Sequence, residues 1–584
     1  MKARLLLFFV FPLLVGVSAV GIYLIEGNPE SAFGSLFNSL WWTIVTVGTI
    51  GYGDMYPATV PGKSFGLLVL CMGVLVNSVV VAVASSWFFN LRSSREKGLK
   101  KVYLNDHIVV CSDSPVFIQS VLNENQRFVE GQKAVIVTPL DRHPLLGSDL
   151  EKVPWVQGEG YNLDALEKAS AKNAVIAYAS YQDDADTVMT VMQLEVLSPK
   201  GRIKTMALYH VQDYLSHLQN VGVDYAIKTF DVYVPMMVQA CLSQGSPVWL
   251  REIILRLTSK SRIKSNIVPD HQAGVMWIDY IKAAKSERGE MPLALVNKEG
   301  ILIINPFVDE MVEPETRVLA IVPTQPDTLG DDPLDAVDAL GVEDIKPQGH
   351  IVICSDELPF INRLLWELEL AKIIDNIVVV SLLPPLGSYP NRAKVDWVQA
   401  SSFSDDGLAA ARAEEAKMAF IDHQRDSHTL MAVLRLEKIT NGEIFTVASY
   451  REPEFDERLL AVGCDYCINV DEMVAPILSQ NAAYPGIGML VEQLISHQHD
   501  SESLYVEQLN DKWTEQPWLE TVIQLKENYH FLPVGLILGH NNKMLVNPKP
   551  DHLVKVNDRL VLICLTEFKP QLPYFSELAS AVVA

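Results

Sequence analysis

The chain has 584 residues, with 47 basic and 71 acidic side chains and a formal net charge of −24. Residues 1–104 hold eight Lys and Arg against four Asp and Glu, a net charge of +4, so the remaining residues carry −28. A soluble part this acidic argues against nucleic acid or anionic lipid as its partner. The length predicts about four domains. Seven scattered cysteines, an odd number, indicate thiols in a reducing compartment rather than a disulfide framework.

Two uncharged runs near the start predict membrane-spanning helices. Residues 5–25 are 21 residues without a charge, about 31 Å as a helix and enough to span a bilayer core. Residues 65–89 form a second uncharged run of 25 residues, long enough to span with tilt. A cleaved signal peptide is the alternative for the first run, although its removal would leave the second span alone.

Basic residues flank both runs on one side. Lys2 and Arg4 precede the first run, and a basic cluster follows the second. That cluster consists of Arg92, Arg95, Lys97, Lys100 and Lys101. Because basic residues just outside a span mark the cytoplasmic side, both termini are predicted to be cytoplasmic. Residues 32–47, between the spans, are too few to cross and suit a re-entrant helix whose C-terminal end favours cations.

The segment after this re-entrant helix has the pattern of an ion-binding backbone. It reads Thr49, Ile50, Gly51, Tyr52, Gly53, Asp54. An ion without its water shell needs oxygens in its place, and backbone carbonyls supply them when successive residues alternate in conformation. Glycine at every second position, here Gly51 and Gly53, permits that alternation. One chain would supply a quarter of such a ring, so the motif predicts four copies around an axis. An ordinary glycine-rich turn is the alternative.

Residues 40–57 resemble the pore helix and selectivity filter of potassium channels, with Ile50 in place of the commoner Val. The resemblance implies a set of residues that line the dehydrated path and bind K⁺ through backbone oxygens. These are Thr49, Ile50, Gly51 and Tyr52. It also implies that Asp54, together with Trp41 or Trp42, braces the filter from behind.

The rest of the chain is an internal duplication. The sequence from His107 recurs from His350, an offset of 243 residues, and later matches follow at offsets of 241 or 242. Apolar strands alternate with helices in each repeat, which predicts a parallel, doubly wound sheet. In the first repeat, strands are predicted at residues 108–111, 134–138, 174–177 and 203–208, and helices at 116–123, 163–168 and 185–197. A smaller segment with a β-hairpin pattern follows each repeat, and residues 324–349 have a linker composition.

A two-helix pore followed by two such units resembles the prokaryotic potassium channels with tandem RCK domains, which are regulators of potassium conductance related to TrkA. The likeness covers nearly the whole chain. It implies a membrane α-helical pore, with two spans and a re-entrant pore helix, followed by two α/β Rossmann-like RCK domains, each with a small C-terminal α+β lobe. In that family eight RCK domains form a cytoplasmic gating ring that pulls on the inner helices. Gly73 matches the family's hinge glycine; close helix packing is its alternative role.

The predicted domain boundaries follow from these patterns. The pore part divides into a first transmembrane helix at residues 1–27, a pore helix and filter at 28–61, a second transmembrane helix at 62–92 and a linker at 93–106. The soluble part divides into a first N-lobe at 107–245 with its C-lobe at 246–323, a linker at 324–349, and a second N-lobe at 350–480 with its C-lobe at 481–570.

The first-strand turns depart from the family pattern. A dinucleotide site needs glycines there, so that backbone N–H groups can approach a pyrophosphate. Here residues 111–115 and 354–359 contain no glycine, and each turn ends in a proline, which has no N–H group. Asp113 and Asp356 would also repel a phosphate. We therefore predict that neither turn holds NAD and that both cap the helix that follows.

Other candidate ligand residues are few. Calcium-gated relatives use carboxylates after the fourth and fifth strands. At the matching positions of the second repeat Asp422 is acidic, but Ser449 and Arg451 are not. One carboxylate does not satisfy an ion that takes about six to eight oxygens. The acidic clusters at residues 183–186 and 331–332 favour helix starts or solvated loops. Cys464 and Cys467 form a CxxC motif, which alone is weak support for zinc or redox chemistry.

The sequence thus predicts a potassium-selective, homotetrameric channel of the inner or plasma membrane, opened or closed by ligand binding to a cytoplasmic RCK ring. Potassium ions and membrane lipid are its predicted partners, together with an unidentified cytoplasmic ligand, a divalent cation or a nucleotide. No nucleic acid, firm cofactor or catalytic residue is predicted, so the chain is not expected to be an enzyme. Two alternatives stay open: a channel whose RCK domains only assemble the tetramer, and a membrane-tethered Rossmann oxidoreductase.

Overall fold

The computed structural model describes residues 2–96, 98–128, 132–198, 203–255, 260–324, 337–338, 348–373, 375–385, 395–497, 501–508 and 513–565. For residues 2–11, 80, 83–84 and 86–96 only the backbone is described. The chain divides into two compact units, Met1–Lys100 and Lys101–Ala584.

The first unit is helical. Its helices are α1 (Lys2–Glu26), α2 (Leu36–Val47) and α3 (Val60–Glu96). The Ser35 hydroxyl caps α2 by accepting from the Asn38 amide at 3.1 Å. A small apolar core joins the three helices through Ile22, Trp42 and Val69. Within the described residues, one helical stretch, Val60–Val79, is long and apolar enough to cross a membrane, whereas Pro12–Glu26 and Leu36–Val47 are apolar but shorter.

The second unit begins with a parallel six-stranded sheet, the first N-lobe. Its elements in chain order are β1 (His107–Ser112), α4 (Pro115–Phe128), β2 (Ala134–Thr138), β3 (Trp155–Gln157), α5 (Leu163–Lys168), β4 (Ala174–Ser180), α6 (Asp184–Leu197), β5 (Lys204–Tyr209), α7 (Tyr214–Val221), β6 (Tyr225–Lys228), α8 (Thr229–Leu242) and α9 (Ser246–Leu255). The strand order β3-β2-β1-β4-β5-β6 is that of a doubly wound sheet. Helices cover both faces, which explains the nearly continuous apolar runs of the strands.

The first C-lobe follows. Its elements are β7 (Ser261–Ile267), β8 (Val275–Met276), α10 (Trp277–Arg288), β9 (Met291–Val296), β10 (Leu302–Ile304), β11 (Met311–Val312) and β12 (Arg317–Pro323). The main sheet is antiparallel with the order β10-β9-β12-β7, and β8 pairs with β11. The predicted linker at 324–349 lies mostly outside the described residues, as does the acidic pair at 331–332. Its described strand β13 (Val337–Asp338) pairs with a strand of the second C-lobe.

The second repeat has the same order of elements. Its N-lobe consists of β14 (Ile351–Ser355), α11 (Leu358–Leu370), β15 (Ile377–Ser381), β16 (Val395–Gln399), α12 (Asp405–Ala410), β17 (Met418–Asp422), α13 (Asp426–Thr440), β18 (Phe445–Tyr450), α14 (Phe455–Ala461), β19 (Tyr466–Asn469), α15 (Val470–Ala483) and α16 (Ile487–Ile495). Its C-lobe consists of β20 (Glu502–Gln508), β21 (Gln516–Pro517), α17 (Trp518–Tyr529), β22 (Leu532–Ile537), β23 (Lys543–Leu545), β24 (Leu553–Val554) and β25 (Arg559–Leu565). The N-lobe sheet, β16-β15-β14-β17-β18-β19, matches the first in order. The predicted fold class is therefore confirmed.

The two repeats pack on each other by exchange of equivalent helices. Helix α4 of the first repeat packs on α15 of the second, and α11 of the second packs on α8 of the first. Polar side chains cross this interface: Ser114 donates to Asp471 at 2.7 Å, and Arg363 pairs with Asp231 at 2.6 Å. One continuous apolar core runs through both N-lobes and both C-lobes. The two repeats thus form a single body around a pseudo-twofold axis.

Candidate functional site

The segment after α2 has an alternating backbone. Thr49, Gly51 and Gly53 have φ angles of 57°, 61° and 75°, in the left-handed region. A methyl group placed on either glycine would meet no atom within 4 Å, so glycine is needed there for conformation and not for space. The amides of Ile50 and Gly51 both donate to the Val45 carbonyl, at 3.0 and 3.2 Å. These N–H groups point back to α2, which lets the carbonyl groups of the segment face the other way.

The two tryptophans of α2 have different surroundings. Trp41 donates from Nε1 to the Asp54 carboxylate at 3.1 Å, and its ring stacks on Tyr52 with centroids 6.0 Å apart. Trp42 is buried and makes an edge contact with Phe33 at 5.6 Å. The sequence named Trp41 or Trp42 as a brace behind the filter. The geometry gives that position to Trp41, while Trp42 belongs to the core of the helical unit.

Gly73 lies against the last residue of α2. A methyl group on Gly73 would come within 3.1 Å of Val47 Cα and 3.2 Å of its Cγ2. Contacts this short require a neighbour to move. The close approach of α3 to α2 therefore needs a small residue at this position, which is the packing role that the sequence left open beside the hinge.

A contact that the sequence did not indicate joins the end of α1 to the start of α3. The Glu26 carboxylate accepts from the Thr59 amide at 2.8 Å and from its hydroxyl at 2.5 Å. Thr59 in turn accepts from the Gly62 amide at 3.1 Å. Glu26 is buried, so this capping arrangement fixes the start of α3 with a charged acceptor. A lone acidic residue at the end of an apolar run, followed by a Thr-x-x-Gly start, was the available signal.

The first-strand turn of the first repeat uses its polar groups internally. Ser112 Oγ accepts from the Ser114 amide at 3.0 Å, and Ser114 Oγ accepts from the Phe117 amide at 3.2 Å at the start of α4. Asp113 accepts from the Gln182 amide at 3.2 Å. The turn therefore caps its helix, as predicted, and its donors are directed within the chain.

The equivalent turn of the second repeat is built in the same way. Ser355 Oγ accepts from the Glu357 amide at 3.0 Å, and Asp356 accepts from the Leu382 amide at 2.7 Å. Pro359 lies in the first turn of α11, where a missing N–H group costs nothing. Neither turn has the glycine-rich cradle of a dinucleotide site.

An acidic cavity of about 510 Å³ opens at the carboxyl edge of the first sheet. Its wall includes Asp113, Asp183 and Asp186. Partial burial and the neighbouring carboxylates Asp183 and Asp113 raise the pKa of Asp186, and burial with Asp186 and Asp113 raises the pKa of Glu159 beside it. An anionic ligand would meet repulsion here. Asp183 caps α6 by accepting from the Ala185 amide at 2.9 Å, which confirms the prediction of a helix start.

The matching edge of the second sheet holds an internal ion pair. Asp422 is buried, accepts from the Ser449 hydroxyl, and lies 3.4 Å from the Arg451 guanidinium. Arg451 also donates to the His423 carbonyl at 2.7 Å. A tethered cation thus occupies the position beside the one matching carboxylate. Among the residues that the structure describes, no group of three or more His, Cys, Asp or Glu side chains is arranged to hold a metal ion.

Ser402, His423 and Asp356 have the order of a nucleophile triad, which the sequence analysis missed. Ser402 Oγ lies 2.9 Å from His423 Nε2, and His423 Nδ1 lies 3.8 Å from Asp356. Ser402 and His423 are buried, and burial lowers the pKa of the imidazole. Because substrate cannot reach a buried hydroxyl from solvent, the arrangement reads as core packing.

The CxxC motif lies inside the second N-lobe. Cys464 and Cys467 are buried free thiols, and Cys467 donates to Asp456 at 3.1 Å. Burial raises the pKa of Cys464 to about 12 and also raises that of Cys467. Thiols that stay protonated are poor nucleophiles and poor metal ligands.

Comparison with known proteins gives the chain a family. Residues 10–90 match the ion channel family model, and residues 125–229 and 367–470 each match the TrkA-N domain model. The chain is 22% identical over 307 residues to the putative potassium channel protein YugO of Bacillus subtilis, covering 51% of this chain and 90% of that protein. The voltage-gated potassium channel Kch of Escherichia coli is 27% identical over 229 residues, 37% of this chain and 52% of Kch.

The chain belongs to the potassium channels with RCK domains. The sequence-based prediction of a potassium channel is thereby confirmed, as is the resemblance on which it rested. The channel also matches a voltage-gated potassium channel of Aeropyrum pernix, at 39% identity over 71 residues, 12% of this chain and 24% of that one. It therefore spans about half the length of Kch and about a quarter of the archaeal channel.

Solved structures agree with the fold of the channel. The human SLO3 gating ring superposes with a TM-score of 0.57 at 13% identity, covering 79% of this chain and 99% of that one. At this identity the likeness shows the fold alone. A GsuK channel bound to NAD covers 98% of both chains with a TM-score of 0.46 at 15% identity, a similarity too low to support a conclusion about ligands.

Proposed function

We propose that four copies of the chain surround one potassium-selective pore. The observation that carries this proposal is the backbone of the filter segment, with positive φ at residues 49, 51 and 53 and two amides tied to Val45. Such a backbone presents oxygens to an ion in place of water. Thr49, Ile50, Gly51 and Tyr52 bind K⁺, and Trp41 with Asp54 braces them. A quarter of the coordination comes from each copy, so the site is incomplete in one chain.

The soluble part acts as the gating ring of this pore. Two apolar stripes support its assembly from several copies. The first stripe consists of Met189, Met192 and Val196 on α6, and the second of Met431 and Leu434 on α13; all five side chains are exposed. They occupy matching positions in the two repeats, on faces that the pairing of the repeats within one chain leaves uncovered. A neighbouring copy would cover them.

The gating ligand enters the cleft of the ring rather than the first-strand turns. Both turns use their polar groups internally, and the acidic cavity of the first N-lobe disfavours an anion, so a cation is the better candidate there. The channel lies in the cell membrane as a two-span protein with both termini in the cytoplasm and lipid around the pore. It carries out no enzymatic reaction, since its buried Ser402–His423 pair has no access to substrate.

The test is electrical recording from the full-length channel in a planar bilayer. In mixed K⁺ and Na⁺ the reversal potential should lie near that of K⁺, and a reversal potential that follows Na⁺ equally would contradict the filter assignment. Perfusing the cytoplasmic face with divalent cations and nucleotides in turn should change the open probability. Currents that are selective but unchanged by every ligand would favour the alternative in which the RCK domains only assemble the tetramer.

A further inference from the structure

The two C-lobes of one chain are joined by two matching polar clamps. Each clamp is a buried lysine on the helix of one lobe, Lys285 on α10 or Lys526 on α17, that donates to an asparagine of the other lobe. The partners are Asn547 and Asn305, respectively. Lysine and asparagine occur at equivalent places in both repeats, so the clamps are related by the pseudo-twofold axis. This duplication was the signal that the sequence offered.

The first clamp is a simple contact. Lys285 is fully buried, and its Nζ donates to Asn547 Oδ1. Asn547 Nδ2 donates to the Gly289 carbonyl at 3.0 Å and to the Ser261 hydroxyl at 3.3 Å. The asparagine therefore bridges the end of α10 and the start of β7.

The second clamp has the same base with two titratable additions. Lys526 Nζ donates to both side-chain and main-chain oxygens of Asn305, the latter at 3.1 Å, and Asn305 Nδ2 donates to the His530 carbonyl at 2.8 Å. His530 stands where the first clamp has Gly289, and Glu502 stands where it has Ser261. Lys526 Nζ lies 3.0 Å from His530 Nδ1, and His530 Nε2 lies 3.4 Å from Glu502.

These distances define one chain of proton donors and acceptors. His530 can accept from Lys526 at Nδ1 only when its own proton is on Nε2, which faces the Glu502 carboxylate. Glu502 is buried, and within the described part of the chain its second oxygen, Oε2, has no hydrogen-bond partner. A buried cation, a neutral imidazole and a buried carboxylate thus lie in line at the contact between the lobes.

We propose that the second clamp is a proton-sensitive contact, through which acidification loosens the pairing of the two C-lobes. Two effects act in the same direction. A protonated Lys526 must be buried as a cation at the interface, whereas it is solvated when the lobes separate. A second proton on His530 would turn Nδ1 from an acceptor into a donor facing Lys526, which removes that hydrogen bond.

The first effect has a definite range of pH. Burial lowers the pKa of Lys526 from 10.5 to about 7, although Glu502 opposes this shift. Between these two values the separated state binds more protons than the paired state, so pairing strengthens as pH rises. Below the lower value Lys526 is charged in both states and the dependence from this group ends. From pH 7 to 9 the pairing equilibrium should change by roughly tenfold to a hundredfold.

The charged groups around the clamp are few. Glu502 of β20 is the one that acts on Lys526. From the facing helix α10, Lys282 pairs with Glu527 at 3.2 Å near the surface, and Lys285 belongs to the first clamp. On β25, the buried thiol Cys564 lies beside Glu502, which contributes to raising its pKa. The loop after β10 contributes the neutral Asn305 and the ring of Phe307, stacked on His530 at 4.3 Å.

The test compares thermal unfolding of the purified full-length channel across pH 6.5 to 9, followed by tryptophan fluorescence. Trp277 and Trp518, both fully buried, begin the two helices that carry the clamps and report on this region. The unfolding midpoint of the natural protein should rise from pH 7 to 9. Lys526→Met should remove most of that rise, whereas Lys282→Met, at the surface of the same interface, should keep it.

A second variant keeps the proposal testable if Lys526→Met does not fold. Glu502→Gln removes the carboxylate that favours the charged lysine, so the pH range of the rise should move to lower values. A profile that is unchanged in both variants would overturn the proposal.

The effect on conduction rests on the proposed gating function and is measured separately, as open probability at cytoplasmic pH 6.5 and 8.5. A clamp-dependent shift of the unfolding midpoint without any change in open probability would leave the proton-sensitive contact standing and contradict the gating role of the ring. Loss of the clamp-dependent shift would overturn the contact whatever the currents show.

Discussion

Single residues of the filter segment are selected for backbone conformation. Gly51 and Gly53 have space for a methyl group, yet their φ angles of 61° and 75° are ones that residues with a Cβ adopt at a cost. The spacing of the two glycines was visible in the sequence because this requirement recurs at every second residue. What the sequence could not show is that Thr49 shares the same region of φ, since nothing in its side chain marks it.

We expect Gly53→Ala to abolish potassium current. Alanine at φ 75° costs about 1–2 kcal/mol, and the cost recurs in each of four copies. Gly66→Ala is the matched control, because a methyl group there would lie 3.5 Å from its nearest neighbour, an ordinary contact. Potassium flux into vesicles containing each purified variant is the measurement. Selective flux through Gly53→Ala at the level of the control would contradict the role of this glycine.

The two tryptophans of α2 offer a second comparison. Trp41→Phe keeps a ring against Tyr52 but removes the hydrogen bond to Asp54, worth about 1 kcal/mol or fivefold in an equilibrium. We expect the filter to lose its conducting form faster, so that current declines about fivefold sooner during sustained opening. Trp42→Phe, which keeps the ring contact with Phe33, should decline like the natural channel. Equal decline in both variants would place the brace elsewhere.

At the scale of elements, helix α3 carries two demands at Gly73. Flexibility would let the helix bend, and smallness lets it approach Val47. Periodicity and length predicted a span here, but neither predicts which residue of a neighbouring helix comes within 3.1 Å.

We expect Gly73→Ala to lower the open probability, with the reversal potential unchanged. The reason is tested by adding Val47→Ala, which removes the branched side chain that the new methyl group would press against. Recovery of the open probability in the double variant indicates close packing, and no recovery indicates a hinge. Single-channel recording provides both quantities, and unaltered gating in Gly73→Ala alone would contradict both roles.

The first-strand turns are elements whose ligand chemistry follows from their capping bonds. We predict that NAD does not bind through the turn of the first repeat, because Asp113 stands where a phosphate would lie. Asp113→Asn keeps the acceptor for the Gln182 amide and removes the charge. Calorimetry on the full-length channel should show the same NAD affinity, or the same lack of it, in both forms. NAD binding that becomes tenfold tighter in Asp113→Asn would place the nucleotide at this turn.

Sequence patterns predicted elements better than contacts between them. The strands of both sheets were visible as β-branched runs, since burial on both faces imposes that composition. The exchange of helices between repeats was not visible, because it depends on pairs such as Ser114 and Asp471, 357 residues apart. The clamp lysines and the Glu26–Thr59 contact were missed for the same reason: a buried charge is recognised by its partner, and the partner is distant in sequence.

At the scale of the whole molecule, duplication supplies two of everything and lets one copy diverge. The paired repeats cover the faces of α4, α8, α11 and α15 within one chain. The stripes on α6 and α13 stay exposed at equivalent places. Four copies around one axis need a head-to-tail contact, since a twofold contact closes after two copies. The stripes of two different repeats provide the two unlike surfaces that such a contact requires.

We therefore predict that the first stripe of one copy packs on the second stripe of the next. Cysteines at both stripes, Met192→Cys with Leu434→Cys, should give covalent species up to the tetramer on a denaturing gel after oxidation, with the exposed Cys71 replaced by serine throughout. Either substitution alone should leave the chain monomeric on the gel. The pair Lys172→Cys and Glu414→Cys, exposed at matching positions away from the stripes, is the control and should not cross-link.

The pattern of bands also distinguishes the possible contacts. Covalent dimers from Met192→Cys alone would indicate a twofold contact between identical stripes, which closes after two copies and leaves a fourfold pore unmatched to its ring. An absence of cross-links in the double variant would show that the stripes face something other than a neighbouring copy. Cross-linking in the double variant alone is expected, because rotation by a quarter turn about the pore axis carries the first repeat of one copy toward the second repeat of the next.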